Sequence, residues 1–214
     1  MTKPAPRVPQ RSNSRSNRAR ILAVARQELG RNPDVSLEDV AQAAGVVRRT
    51  LYGHFPGRLA LLEALADEAA EALRDAVSEA SVPDEPDERA LGRFVLTIWP
   101  VGDRYRMLIA LARNDLGTER VTEILAPAHR EVTRIIEHGR RAGVFHDHLP
   151  AGVLSAALEA LVLSLLESVN TGAWKDDQGG GAAVVTLIAA GVPAPLAEAE
   201  VRGLIADRSR PDPS

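Results

Sequence analysis

The sequence predicts an all-α fold, with three short helices near the N-terminus followed by longer ones. Apolar residues recur at helical spacing along most of the 214 residues, and few segments show the strict alternation of a strand. Glycine- and proline-containing breaks divide the chain into segments of helix length. Charge then separates a head from a body. Residues 1–58 carry Lys3 and ten arginines against four acids, or +7, while the rest carries 15 basic and 25 acidic groups, or −10. Such asymmetry suggests a polyanion-binding head on an acidic body. A solubilising basic tail on an ordinary globular protein is the alternative reading.

Residues 1–16 are rich in Pro, Ser, Asn and Arg, with almost nothing apolar, so a disordered basic arm is expected. From about Asn17, the residues Ile21, Leu22, Val24, Ala25 and Leu29 mark a first helix, stopped by Gly30 and Asn32-Pro33. Ser36, with Asp39 three residues on, is an N-cap signal for a short helix over 37–44. Gly45 ends it, because glycine readily takes the left-handed conformation of a tight turn. A third short helix over 47–54 ends at Phe55-Pro56-Gly57.

A leucine- and alanine-rich helix should span 58–81 and stop before VPDEPDE. Pro100 to Gly102 predicts a break between helices at 88–99 and 102–116, and Gly117 another before 118–142. Pro127 lies inside that last segment and predicts a kink or an earlier break. GVFHDHLPAG is read as a loop before a helix over 151–171. Gly179 to Gly181 opens a helix over 182–190, and after Pro193 and Pro195 a final helix runs to about Asp207. No internal repeat is evident.

Two short helices joined by a glycine turn within about twenty residues form a helix-turn-helix candidate. Its second helix would carry Arg48 and Arg49 at its start, where side chains approach base edges when such a helix lies in a major groove about 12 Å wide. An arginine fork can bond guanine O6 and N7 together, worth roughly 1–3 kcal/mol of discrimination. Thr50, Tyr52 and His54 can donate to phosphate oxygens, which sets register without reading sequence. Arg58 opens the following helix, whose free N–H groups also favour a phosphate. Leu51 and Phe55 are read as core.

The stretch LEDVAQAAGVVRRTLYGHFPGRLALLEAL resembles the DNA-binding domain of TetR-type transcriptional regulators. The matching features are the Ala-Gly-Val turn, Thr-Leu-Tyr-x-His-Phe, and a basic residue three after that Phe. The resemblance covers about residues 17–65, with ERVTEIL and GRRAGVF as weaker echoes later. It implies a three-helix DNA-binding head with residues 47–54 as recognition helix, a helical regulatory body, and a homodimer on a palindromic operator. It also implies that Arg48, Arg49, Thr50, Tyr52, His54 and Arg58 face DNA, with Ser36 and Glu38 near the backbone. Two positions depart from the family pattern. Val47 stands where serine is usual; valine is a poor N-cap but can touch a thymine methyl. Arg58 replaces a usual lysine and keeps its charge.

The segment LPAGVLSAALEALVLSLLESV is apolar around most of its circumference, so its helix is either central or pairs with a second copy. With residues 182–207 it could form the four-helix dimer interface that the resemblance suggests. Phe94, Trp99, Tyr105, Met107, Leu108 and Leu111 fall on the middle helices, where the family holds its effector pocket; core packing is the other reading for each. Trp174 receives no role. His146-Asp147-His148, with His138, invites a metal reading, but no second shell accompanies it and a solvated loop is preferred. Asp67-Glu68 and Asp176-Asp177 are read as solvated helix ends and loops.

The expected organisation is therefore an arm at 1–16, a helix-turn-helix domain at 17–62, a regulatory and dimerisation domain at 63–208, and a disordered tail at 209–214. The absence of cysteine excludes disulfides and thiolate metal sites. No uninterrupted apolar run approaches a membrane span, and the N-terminus lacks a signal-peptide core, so a cytoplasmic location is expected. No catalytic set, metal or cofactor is predicted. The function expected is a repressor released from its operator by a small apolar effector. An effector-independent architectural DNA-binding protein and a helical enzyme with an incidental basic head are the rivals.

Overall fold

The computed structural model of the chain describes residues 10–209, with backbone only for 10–14, 106, 107, 109, 110 and 112–114. Among the described residues there are nine α-helices and no strand, as the periodicity predicts. They are α1 (Gln10–Arg31), α2 (Leu37–Ala43), α3 (Arg48–His54), α4 (Arg58–Ala80), α5 (Asp87–Asp115), α6 (Thr118–Arg141), α7 (Ala151–Asn170), α8 (Gly180–Ala189) and α9 (Ala194–Arg208).

The chain divides into two compact units. The first runs to Glu68 and includes Met107–Thr118. In it α1 packs on α2 and α3, and α2 on α3. Ile21, Leu22, Ala25 and Leu29 of α1 are buried, as are Val40, Ala41, Leu51, Phe55, Leu61, Leu62 and Leu65. Each large member of that set contributes about 1.5–3 kcal/mol through burial. Arg26 of α1 forms an ion pair with Glu68 of α4. That pair and the buried leucines of α4 carry the unit's edge to Glu68, beyond the boundary expected at residue 62.

Helix α1 starts at Gln10, so residues 10–16 are helical where disorder is expected. Once the stripe from Ile21 to Leu29 is buried, extending a formed helix costs far less than nucleating one. Asn17 also accepts a hydrogen bond from Arg20 at 3.0 Å. The remainder of the predicted arm and residues 210–214 lie outside the described residues, and Ser209 caps α9.

The second unit comprises Ala69–Arg106 and the chain from Glu119 onward. Its core gathers Leu91, Phe94, Leu96 and Trp99 of α5, Ile135 and Ile136 of α6, Leu154, Leu158 and Leu166 of α7, Leu187 of α8, and Val201 and Leu204 of α9. The predicted break at Pro100 is absent: α5 is one helix of 29 residues. A proline inside a helix has no N–H for the carbonyl four residues back. Here that carbonyl belongs to Leu96, and Arg208 supplies the missing donor from its Nη1 at 2.9 Å. The second terminal nitrogen of Arg208, Nη2, donates to Thr97 Oγ1. Gly102 keeps the adjoining turn clear for α7, because a Cβ there would lie 2.8 Å from Leu166 Cδ1. Helix α6 likewise continues through Pro127.

Helix α7 is long and apolar enough to cross a membrane by length and composition. One side of it belongs to the core, through Leu154, Leu158 and Leu166. Its opposite side includes Val153, 51% exposed, and α8 adds Val185 and Ile188, each 42% exposed.

Candidate nucleic-acid interface

The geometry of the head follows from four local signals. Ser36 caps α2: its Oγ accepts the Asp39 N–H at 3.1 Å and its hydroxyl donates to the Asp39 carboxylate at 2.7 Å. At the far end Gly45 takes φ +62°. The Val46 N–H bonds Ala41 O and the Gly45 N–H bonds Gln42 O, both at 3.0 Å, which is the doubly bonded glycine cap of a helix C-terminus. Val47 then sits in extended conformation as N-cap of α3, without a side-chain cap bond and 68% exposed. Phe55, 2% exposed, ends α3 and fixes it to the core. The guanidinium of Arg18 lies 5.4 Å from the Phe55 ring centroid.

These constraints leave α3 anchored by Leu51 and Phe55 with its first turn facing outward. Arg48 and Arg49 are both exposed, yet they differ in what holds them. Arg48 Nη2 pairs with Glu38 Oε1 at 3.0 Å, and its Cζ lies 5.1 Å from the Tyr52 ring centroid. The Tyr52 hydroxyl donates to the same Glu38 oxygen at 3.2 Å. Arg49 has no side-chain partner among the described residues. Thr50 and His54 are half-buried, and the His54 ring is tilted against Phe55.

Two of the sequence-selected residues are already engaged within the head. Arg58 donates Nη1 to Val35 O at 3.0 Å and Nη2 to Pro33 O, clipping the start of α4 to the α1–α2 connection. In this conformation its fork is occupied by carbonyls rather than presented to a phosphate. Glu38 serves Arg48 and Tyr52. The structure thus brings Glu38, Arg48 and Tyr52 into one cluster and leaves Arg49 beside it. Ser36 closes the helix beneath.

The six residues proposed for a ligand site fall in both units. Phe94, Trp99 and Tyr105 belong to the second and are buried; Leu108, buried, and Leu111, half-buried, belong to the first with Met107. The Met107 side chain lies outside the described residues. Trp99 is committed to packing: its indole N–H donates to Asp176 O at 2.8 Å, and its ring meets Trp174 edge-on at 5.9 Å. That contact assigns Trp174 a structural place the sequence did not suggest. Asp176 is more than a solvated loop acid. Its carboxylate accepts the N–H groups of Gly180 and Ala182 at 3.1 and 3.0 Å and so caps α8. Glu68, expected to be merely solvated, is held by Arg26.

The histidines are dispersed. His138 Nδ1 lies 2.8 Å from Asp87 Oδ1, whereas His146 stacks on His148 at 5.0 Å and its Nε2 lies 3.1 Å from Ala189 O. Among the described residues no group of three or more His, Cys, Asp or Glu is placed to hold a metal ion.

Residues 21–65 match the family model for bacterial regulatory proteins of the tetR family. Over 137 residues the chain is 31% identical to the HTH-type transcriptional repressor LfrR of Mycolicibacterium smegmatis, an alignment covering 59% of this chain and 72% of that protein. Among solved structures, CprB of S. coelicolor A3(2) shares the fold with a TM-score of 0.72, over 91% of this chain and 99% of that one, at 15% identity. LfrR from Mycobacterium smegmatis in complex with proflavine matches with a TM-score of 0.59, over 89% and 94% of the two chains, at 21% identity.

Proposed function

Because the chain belongs to the tetR family of bacterial regulatory proteins, we propose that it is a repressor that binds a palindromic operator as a homodimer and is released by a small apolar effector. It is a transcriptional regulator by that membership; the sign, the operator and the effector are the proposal. The observation that carries it is the first turn of α3, where Arg48 and Arg49 stand exposed on a helix anchored from behind by Leu51 and Phe55. A helix so held can enter a major groove without moving its own core. Arg49, without a side-chain partner among the described residues, is the proposed base or phosphate contact of first resort. Val47, Thr50, Tyr52 and His54 are proposed to flank it, and Ser36 to lie near the backbone. Arg58 is reassigned to bracing the head.

The apolar sides of α7 and α8 support the homodimer, since Val153, Val185 and Ile188 would otherwise face water. Two heads in such a dimer would address half-sites about one helical turn, roughly 34–36 Å, apart. For the effector, Phe94, Trp99 and Tyr105 are the candidate residues in the second unit, and the relative LfrR, solved with proflavine, supports an aromatic ligand. A ligand can shift such an equilibrium only by its differential affinity for the bound and released states. A cytoplasmic location, beside the chromosome, goes with this reading.

The test is selection of bound fragments from genomic DNA by the full chain, followed by footprinting. An Arg48→Ala, Arg49→Ala double variant of retained helicity should lose the footprint. A wild-type protein that ignores duplex DNA at low salt would end the proposal. Affinity without operator preference and without response to any ligand would turn it toward an architectural role.

A further inference from the structure

Glu38 is an odd residue to find on a surface meant for phosphates. A carboxylate there repels the backbone it approaches, yet its position is closely specified. One oxygen, Oε1, receives both the Arg48 guanidinium at 3.0 Å and the Tyr52 hydroxyl at 3.2 Å. The Tyr52 ring in turn lies under the Arg48 guanidinium, 5.1 Å from its Cζ. Arg48 is thereby held from two directions, although its side chain is 71% exposed and Glu38's is 47% exposed. Its neighbour Arg49 has no such restraint.

Resting on the DNA-binding reading above, we propose that Glu38 is a specificity-determining positioning residue: it holds Arg48 for base readout and withholds it from phosphates. A guanidinium carries five N–H donors in a rigid plane, so an ion pair with Glu38 through Nη2 leaves donors for a base edge while restraining where the side chain lies. Phosphate contacts give affinity to every sequence, whereas a directed fork gives it to one. Neutralising Arg48 locally lowers the counterion release that drives nonspecific binding. The head then leaves general attraction to Arg49 and sequence preference to the Glu38–Arg48–Tyr52 cluster. Glu38 is not itself a contact in this assignment, which revises the role the family resemblance implies.

The experiment uses the full chain and two probes: a duplex selected from a randomised double-stranded library by the wild type, and a scrambled duplex of equal length and composition. Glu38→Gln should bind the scrambled duplex more tightly. It should also steepen the dependence of log K on log salt by about 0.9, one added phosphate contact. The ratio of selected to scrambled affinity should fall about tenfold, within the range one bidentate arginine–guanine contact provides. Tyr52→Phe, which keeps the ring and removes one hydrogen bond, should move both quantities the same way by less. In an Arg48→Ala background Glu38→Gln should leave the selected-to-scrambled ratio unchanged, since the lost carboxylate repulsion acts equally on both duplexes.

Equal weakening on both duplexes with an unchanged salt slope would make Glu38 a plain brace and overturn the proposal. The same fall in the selected-to-scrambled ratio persisting without Arg48 would also overturn it. Wild type that selects no duplex removes the DNA-binding reading and this inference together. Wild type that selects one while Glu38→Gln matches it removes the inference alone.

Discussion

Replacing Arg208 by methionine isolates the device that keeps α5 continuous through Pro100. The variant keeps an unbranched apolar stem but takes away the donor 2.9 Å from Leu96 O. Leu96 is 1% exposed, so water cannot readily take over its carbonyl. A buried acceptor left without a partner costs about 1–3 kcal/mol. Because the Arg208 bond itself is only partly buried, the lower half of that range, about 1–2 kcal/mol, is expected. Loss of the Thr97 contact falls within the same figure. For a chain of this size each kcal/mol lowers Tm by about 2–4 °C. The diagnostic measurement is a double-mutant cycle by chemical denaturation with Pro100→Ala. Alanine restores an N–H aimed at Leu96 O, so Arg208→Met should cost little once residue 100 is alanine. The coupling should be about 1 kcal/mol, outside the 0.3–0.5 kcal/mol within which independent sites add. An equal cost of Arg208→Met in both backgrounds would refute the assignment.

Three further outcomes follow from the geometry. Val47→Ser should stabilise the fold by about 0.5–2 kcal/mol in denaturant melts, because α3 lacks a side-chain cap and serine supplies one. Gly179→Ala should destabilise by about 1–3 kcal/mol in thermal melts. Gly179 has φ +76°, and a Cβ there would lie 2.5 Å from Trp99 Cγ. Val185→Glu with Ile188→Glu should yield a monomer by sedimentation velocity with helicity unchanged, and a persisting dimer would place the interface elsewhere.

What could be read from the sequence was local. Ser36, Gly45 and Phe55-Pro56-Gly57 each act within a few residues of where they stand, so the two short helices and their turn were predicted almost to the residue. Pro100 misled because its compensation comes from Arg208, far along the chain, and no window of residues contains both. The head shows the same limit. Arg48 and Arg49 look equivalent in sequence, and only the approach of Glu38 from the preceding helix separates a restrained arginine from a free one. Arg58 offered a charge at a helix start; the carbonyls of Pro33 and Val35 that occupy it become neighbours only when the α1–α2 connection meets the start of α4. Likewise Trp174 found its place through Trp99, and Asp176 through the helix it caps.

The edge-on meeting of Trp99 and Trp174 has an optical consequence. The chain has two tryptophans, and both belong to this one contact in the second unit. Indole emission therefore reports a single locality and is silent about the helix-turn-helix head. Rings held edge-on at 5.9 Å should also give a fixed aromatic signal in near-ultraviolet circular dichroism, and its loss would time the opening of the α7–α8 connection separately from any event at the DNA end.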